Sequence, residues 1–291
     1  MKTLVDWLLA QRFRPIVFAV AFAPLLPMLT TALLIVDSRV SGPNQALLRA
    51  VLGIAAVSVL AIVTNSSLYA VVGVASVAML AGVAIGGVLR WAGHLALAFQ
   101  ATVLGCFAVT SGVLLFGPSS EELFAPLVEE VVDVLARGGA PNEQLEAMRS
   151  WSPVLLGVAA AAVFAQLVGA LLIAQWALAL AREEVSFGPE FRALKLGRVL
   201  GYPAMVLVSL GLVLDVGLVR NLTPLALFGF LFQGAAVMHA WSHAKQWHVG
   251  VILPVYVLLV TPLTGVVILG LSAVGLLDNI FDLRASLRAQ T

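Results

Sequence analysis

His239 and His243 stand four residues apart, so on a helix their imidazoles share one face, the spacing that helix-borne zinc sites use. A zinc ion held there would polarise a substrate or activate a water. No glutamate follows the first histidine, however, and Trp241 lies between the pair, with Lys245 and Trp247 just beyond. Tryptophan among histidine and lysine also marks a membrane–water boundary. The expectation is a boundary anchor at His239 and His243, with no metal and no cofactor.

Amides and hydroxyls inside apolar stretches form the second set. Asn65, Ser66 and Ser67 interrupt a long apolar run. They read either as a tight turn between helices or as a break whose freed backbone lines a substrate site. Gln166, Gln175 and Gln233 lie well inside apolar runs. Such amides bridge neighbouring helices for roughly 0.6–2 kcal/mol or contact a ligand. The candidate ligand-binding set is Asn65, Ser66, Gln166 and Gln233. Asp215 and Arg220, near the end of a run, read as an interfacial pair or a solvated end rather than a proton relay.

Small residues form a third pattern. Gly157, Ala161, Ala165 and Gly169 recur every four positions, and Gly82 and Gly86 repeat the spacing once. Small side chains on one helix stripe let a second helix approach closely, so both stripes are expected to be packing seams. A nucleotide-binding loop, a nucleophile elbow, an HExxH motif and paired intramembrane aspartates are all missing from the sequence. The expectation is a protein that is not an enzyme.

The elements that must carry these groups follow from composition. Only 11% of the 291 residues are charged and 61% are hydrophobic. Average soluble domains are about a quarter charged. Ala50–Val63, Leu68–Leu89, Leu95–Phe116 and Val154–Ala181 contain no Lys, Arg, Asp or Glu. A helix crossing the hydrocarbon core needs about 20 such residues. Continuous runs, rather than period-two alternation, argue against a barrel. The expected fold is all-α: a polytopic transmembrane helical bundle of about eight spans, with seven or nine as alternatives.

Expected spans are 15–36, 46–63, 68–89, 95–116, 152–181, 199–219, 222–241 and 249–277. Pro24 and Pro27 interrupt the first, and Pro254, Pro262 and Gly265 the last. The last is read as one tilted, kinked helix rather than two halves. Residues 1–14 read as an interfacial helix. Segment 117–151 opens with Ser119-Ser120-Glu121-Glu122, a capping box, and continues as an acidic amphipathic helix ending at Gly138-Gly139. It is read as lying on the membrane or on the bundle; anionic headgroups would repel its carboxylates, so docking on protein is expected. Under this topology the loop cations divide evenly across the bilayer, and the positive-inside rule does not orient the chain. Both termini are placed inside on the weight of Lys2, Arg12 and Arg14 before the first span. The single cysteine, Cys106, excludes an internal disulfide. A net charge of +1 without a basic run gives no sign of nucleic acid. The partners expected are the lipid bilayer and another membrane-protein subunit.

The last hydrophobic run closes on Gly275-Leu-Leu-Asp278-Asn-Ile-Phe-Asp282-Leu-Arg284. Gly275, Asp278, Asp282 and Arg284 at this spacing resemble the YybS-like family of bacterial membrane proteins. That family is distantly similar to the substrate-binding S components of energy-coupling-factor transporters and to the rod-shape protein MreD. S components carry an Ala-xxx-Ala contact on their first helix, which Ala19 and Ala23 match here, followed by Pro24. The resemblance implies a multi-pass protein of the bacterial cytoplasmic membrane, either a small-molecule-binding transporter component without its own ATPase or a scaffold that packs on partner helices.

Overall fold

The computed structural model describes residues 14–23, 25–64, 68–181 and 185–288. The expected interfacial helix at 1–14 lies, but for Arg14, outside the described residues, as do Pro24 and Asn65–Ser67. Apart from turns and short connections, the described residues are helical: α1 Arg14–Phe22, α2 Pro27–Ser41, α3 Pro43–Val63, α4 Leu68–Ala92, α5 Leu95–Phe116, α6 Ser120–Arg137 and α7 Asn142–Arg149. A 3₁₀ turn at Ser152–Val154 leads into α8 Leu155–Ala181, followed by α9 Phe187–Arg192, α10 Gly197–Gly211 and α11 Gly217–Ala244. A second 3₁₀ turn, Val249–Val251, precedes α12 Leu253–Leu258, α13 Thr264–Phe281 and α14 Ala285–Arg288. Among the described residues there are no strands. The protein is an all-α membrane protein.

Among the described residues, six helical segments are long and apolar enough to cross a bilayer: Pro43–Val63, Val71–Ala92, Leu95–Phe116, Asn142–Ala181, Gly217–Ala244 and Thr264–Phe281. Two runs that read as single spans are divided near prolines. In the first, α1 ends at Phe22 and Pro27 opens α2, where its fixed φ suits a helix start and its missing N–H is not needed. The last is not one helix. Pro262 cannot donate a helical hydrogen bond, and the Thr261 and Thr264 hydroxyls bond the carbonyls that the break frees. The run at 199–219 shortens to α10, and the joint after it lies at 212–216 rather than 220–221. Asp215 therefore sits just before α11, bonded by Arg220 at 2.7 Å.

The chain divides into two compact units, Met1–Thr102 with Ala165–Leu194, and Val103–Phe164 with Lys195–Thr291. In the first, α2 lies along α4, α3 packs on both, and α1 packs on α2 and α3. Its core is small-residue rich: Ala19, Ala23, Leu34, Ala46, Ala50, Val57, Ala75, Met79 and Val83. In the second, α11 pairs with α13, α10 packs on both, and α6 folds against α7.

The 117–151 segment is a helical hairpin. Ser119 accepts from the Glu122 amide while Glu122 accepts from the Ser119 amide, so the capping box closes in both directions. Val128, Val132 and Leu145 bury the hairpin's interior. Arg149 bridges to both Glu129 oxygens and to Glu146.

Candidate functional site

The α11–α13 pair is notched at two glycines. A Cβ on Gly275 would lie 2.0 Å from the Phe230 carbonyl oxygen, and one on Gly234 would lie 1.9 Å from that of Leu271. Only hydrogen fits at either position, so the two backbones approach as closely as small-residue crossings allow. Ser272 donates its hydroxyl to the Leu227 carbonyl across the same interface at 2.8 Å.

One turn past Gly275, Asp278 is fully buried. The Gln233 amide donates to its Oδ2 at 2.8 Å. Helix α13 ends at Phe281, and Asp282 takes a left-handed conformation (φ 46°) that turns the chain back. The turn returns Arg284 to Asp278. Its guanidinium donates to Oδ2 at 2.6 Å and to Oδ1 at 3.2 Å, and Arg284 is itself buried. The Gln233 side-chain oxygen Oε1 accepts from the Leu196 backbone amide at 3.0 Å, and Lys195 pairs with Asp282. The loop before α10, the middle of α11 and the end of α13 are thus joined by one polar network. Gln233, Gly275, Asp278, Asp282 and Arg284 come together here. Chemically it is a clasp: both Asp278 oxygens and the Gln233 amide are engaged by groups of the chain itself.

A second buried amide works in the same unit. Asn221 accepts from the Gly157 amide at 2.9 Å and donates to the carbonyls of Pro153 and Gly217. It caps the exposed first turn of α8 from a neighbouring helix. A Cβ on Gly157 would lie 2.2 Å from the Asn221 carbonyl oxygen. Gly157 and Ala161 are buried, whereas Ala165 is half-buried. At Gly169 the nearest atom to an added Cβ would be the Met28 sulfur, at 2.8 Å.

In the first unit, Gly82 and Gly86 face α2. A Cβ on Gly82 would meet the Thr31 carbonyl oxygen at 2.8 Å, and one on Gly86 that of Ile35 at 2.6 Å. The Thr31 and Ser38 hydroxyls bond back to the Ala78 and Val83 carbonyls. At the end of α2 the fully buried Asp37 accepts from Ser41 at 2.8 Å and pairs with Arg49, while its Oδ2 has no partner. Arg90 donates to the Arg39 and Val40 carbonyls at the end of α2, and Arg39 to Leu89 near the end of α4. Each arginine serves the C-terminus of the other's helix, where cations are favoured. Gln175 donates to Glu190 at 3.1 Å, and Glu190 accepts the Leu95 amide that opens α5 at 2.9 Å.

The remaining candidates lie apart from the clasp. Gln166 is half-buried on α8, and Asn65 and Ser66 lie outside the described residues. The His239 imidazole pairs with the Tyr256 hydroxyl at 2.7 Å, and His243 is exposed. Among the described residues, no three His, Cys, Asp or Glu side chains gather to hold a metal ion.

Sequence reading does not single out Asp37, Arg49 or Asn221. Asp37 and Asn221 fall where hydropathy ends or begins a run, positions that read as loop. The i, i+4 pair Asp37–Ser41 is the available signal for the first. No family model matches the chain, and comparison with curated proteins and with solved structures gives no match.

Proposed function

We propose that this integral membrane protein is a non-catalytic scaffold that works by assembly with a partner membrane protein. The observation that carries the reading is where the polar groups of the apolar helices go. Gln233, Asp278, Asn221, Ser272, Thr31 and Ser38 all bond within the chain, which supports rigid helix packing over a solvated substrate path. The YybS-like tail supports the same reading through the kinship with MreD, because its residues supply the clasp.

A second reading, a transporter component similar to the S components, is favoured by two observations. Among the described residues six helical segments are long and apolar enough to cross, the number those components have. Asp37 Oδ2 and Gln175 Oε1 are also buried acceptors without partners in the first unit. Against a shared coupling contact, Ala19 and Ala23 are buried in the chain's own core.

Native mass spectrometry of the protein released from lipid nanodiscs made directly from its own membrane separates the two. A stoichiometric protein partner is expected. A bound small molecule without a protein partner would instead establish the transporter reading.

A further inference from the structure

The hairpin of α6 and α7 leaves one side of α6 uncovered. At 100° per residue, Val128, Val132 and Leu135 point into the hairpin, and Glu122, Glu129 and Asp133 form a carboxylate side. A third sector carries Leu123, Leu127, Val131 and Val134, with Glu130 at its margin toward the carboxylates. Leu123, Leu127 and Val134 are exposed at 45%, 53% and 57%. Eleven residues separate Leu123 from Val134, so the stripe runs about 16 Å along the helix.

The position of this stripe is fixed by its attachments. Helix α6 begins just past Phe116, the exposed end of spanning helix α5. Its first residue, Ser120, donates to the Ser152 carbonyl at 2.8 Å and accepts from the Leu156 amide at 3.2 Å. Those contacts hold the start of α6 to the first turn of α8, at the mouth of the next span. Exposed Leu115 and Phe116 precede α6 in the chain, and exposed Trp151 adjoins Ser152, to which the start of α6 is bonded. An exposed leucine stripe on a helix held at a span mouth beside a tryptophan matches the acyl–headgroup boundary, where interfacial helices bury their apolar side by about 5–10 Å.

From this geometry we infer that α6 lies in the plane of the bilayer surface with Leu123, Leu127 and Val134 inserted among zwitterionic lipids. Charge selects the lipid class. Segment 117–151 holds seven carboxylates (Glu121, Glu122, Glu129, Glu130, Asp133, Glu143, Glu146) against Arg137 and Arg149. An anionic surface repels such a segment within a Debye length, about 8 Å at physiological salt.

The test uses the full chain in phosphatidylcholine nanodiscs. An environment-sensitive fluorophore is placed at Leu127→Cys in a Cys106→Ser background. Val109→Cys, on the exposed side of α5, and Asp133→Cys are the references. Brominated phosphatidylcholine is expected to quench the Leu127 label as it quenches the Val109 label, and severalfold more than the Asp133 label. Iodide should do the reverse. Replacing half the lipid with phosphatidylglycerol at low salt should weaken the lipid quenching at Leu127, and added salt should restore it. A Leu127 label open to iodide places the stripe in water, and one shielded from both quenchers places it under protein; either result overturns the inference. Stronger quenching by anionic bilayers would overturn the lipid class. If the cysteine variants do not fold, the unmodified chain serves. A diazirine on a phosphatidylcholine acyl chain should label the Leu123–Val134 peptide, and no label there overturns the inference.

Discussion

Gly275 and Gly270 differ in what a side chain would meet. At Gly275 a methyl collides with the Phe230 backbone, whereas at Gly270 nothing lies within 4 Å. Gly275→Leu is expected to destabilise the protein by about 1–3 kcal/mol or more, and Gly270→Leu by little. Thermal unfolding followed by size exclusion in mild detergent reads both. The same contrast divides the small-residue stripe of α8. Gly157→Ala strikes the fixed Asn221 backbone, whereas Gly169→Ala displaces only the movable Met28 thioether, so the first should unfold at lower temperature than the second. Equal melting temperatures would remove the distinction. At the clasp, Arg284→Met leaves the buried Asp278 carboxylate with only the Gln233 amide, and a loss of about 3–5 kcal/mol is expected. Arg284→Met combined with Asp278→Leu should recover much of that loss, because no unpaired charge is then buried. A double mutant no better than the single would show that the ion pair is not the source.

The α6–α7 hairpin owes its ends to side chains. Removing the Ser119 hydroxyl opens the capping box, and Ser119→Ala should cost about 0.5–2 kcal/mol locally, read as faster amide exchange in the first turns of α6. The link between the two helices is pH-dependent. Hydrogen bonding from Arg149 holds the Glu129 carboxyl below its ordinary value. A lowered folded pKa stabilises at pH above the ordinary glutamate range, and the effect is lost as pH falls through the folded value. Amide exchange in α7 should therefore quicken on acidification, and Arg149→Gln should flatten that dependence. This element is legible in the sequence. Ser119, Glu122 and Gly138 mark its ends by local chemistry, and the apolar positions mark its inner face. The ends of α5 are equally plain, because hydropathy stops abruptly at Leu95 and Phe116. The division of the first and last runs is not, since a proline inside an apolar run signals a kink and a full break alike. The clasp is half legible. Gly275, Asp278, Asp282 and Arg284 stand out as a tail motif, but Gln233 lies 45 positions before Asp278, and only the fold brings them together.

At the scale of the whole chain, the two units have a common economy. Each closes a glycine-notched helix pair with hydroxyl-to-carbonyl bonds and holds a buried aspartate against an arginine, Asp37 with Arg49 in one and Asp278 with Arg284 in the other. This leaves few polar groups of the helices for anything but holding the helices. The units are also interleaved: the first needs Ala165–Leu194, which follows Val103–Phe164 of the second, and the boundary falls inside α8. The order of synthesis therefore matters. Segment Met1–Thr102 leaves the ribosome and enters the bilayer before the part of α8 that completes its unit has been translated. The early helices must wait with one side against lipid or the insertion machinery while Val103–Phe164 is threaded in. Pausing translation between these segments should expose the nascent chain to quality-control proteases in a window that a protein with contiguous units does not have.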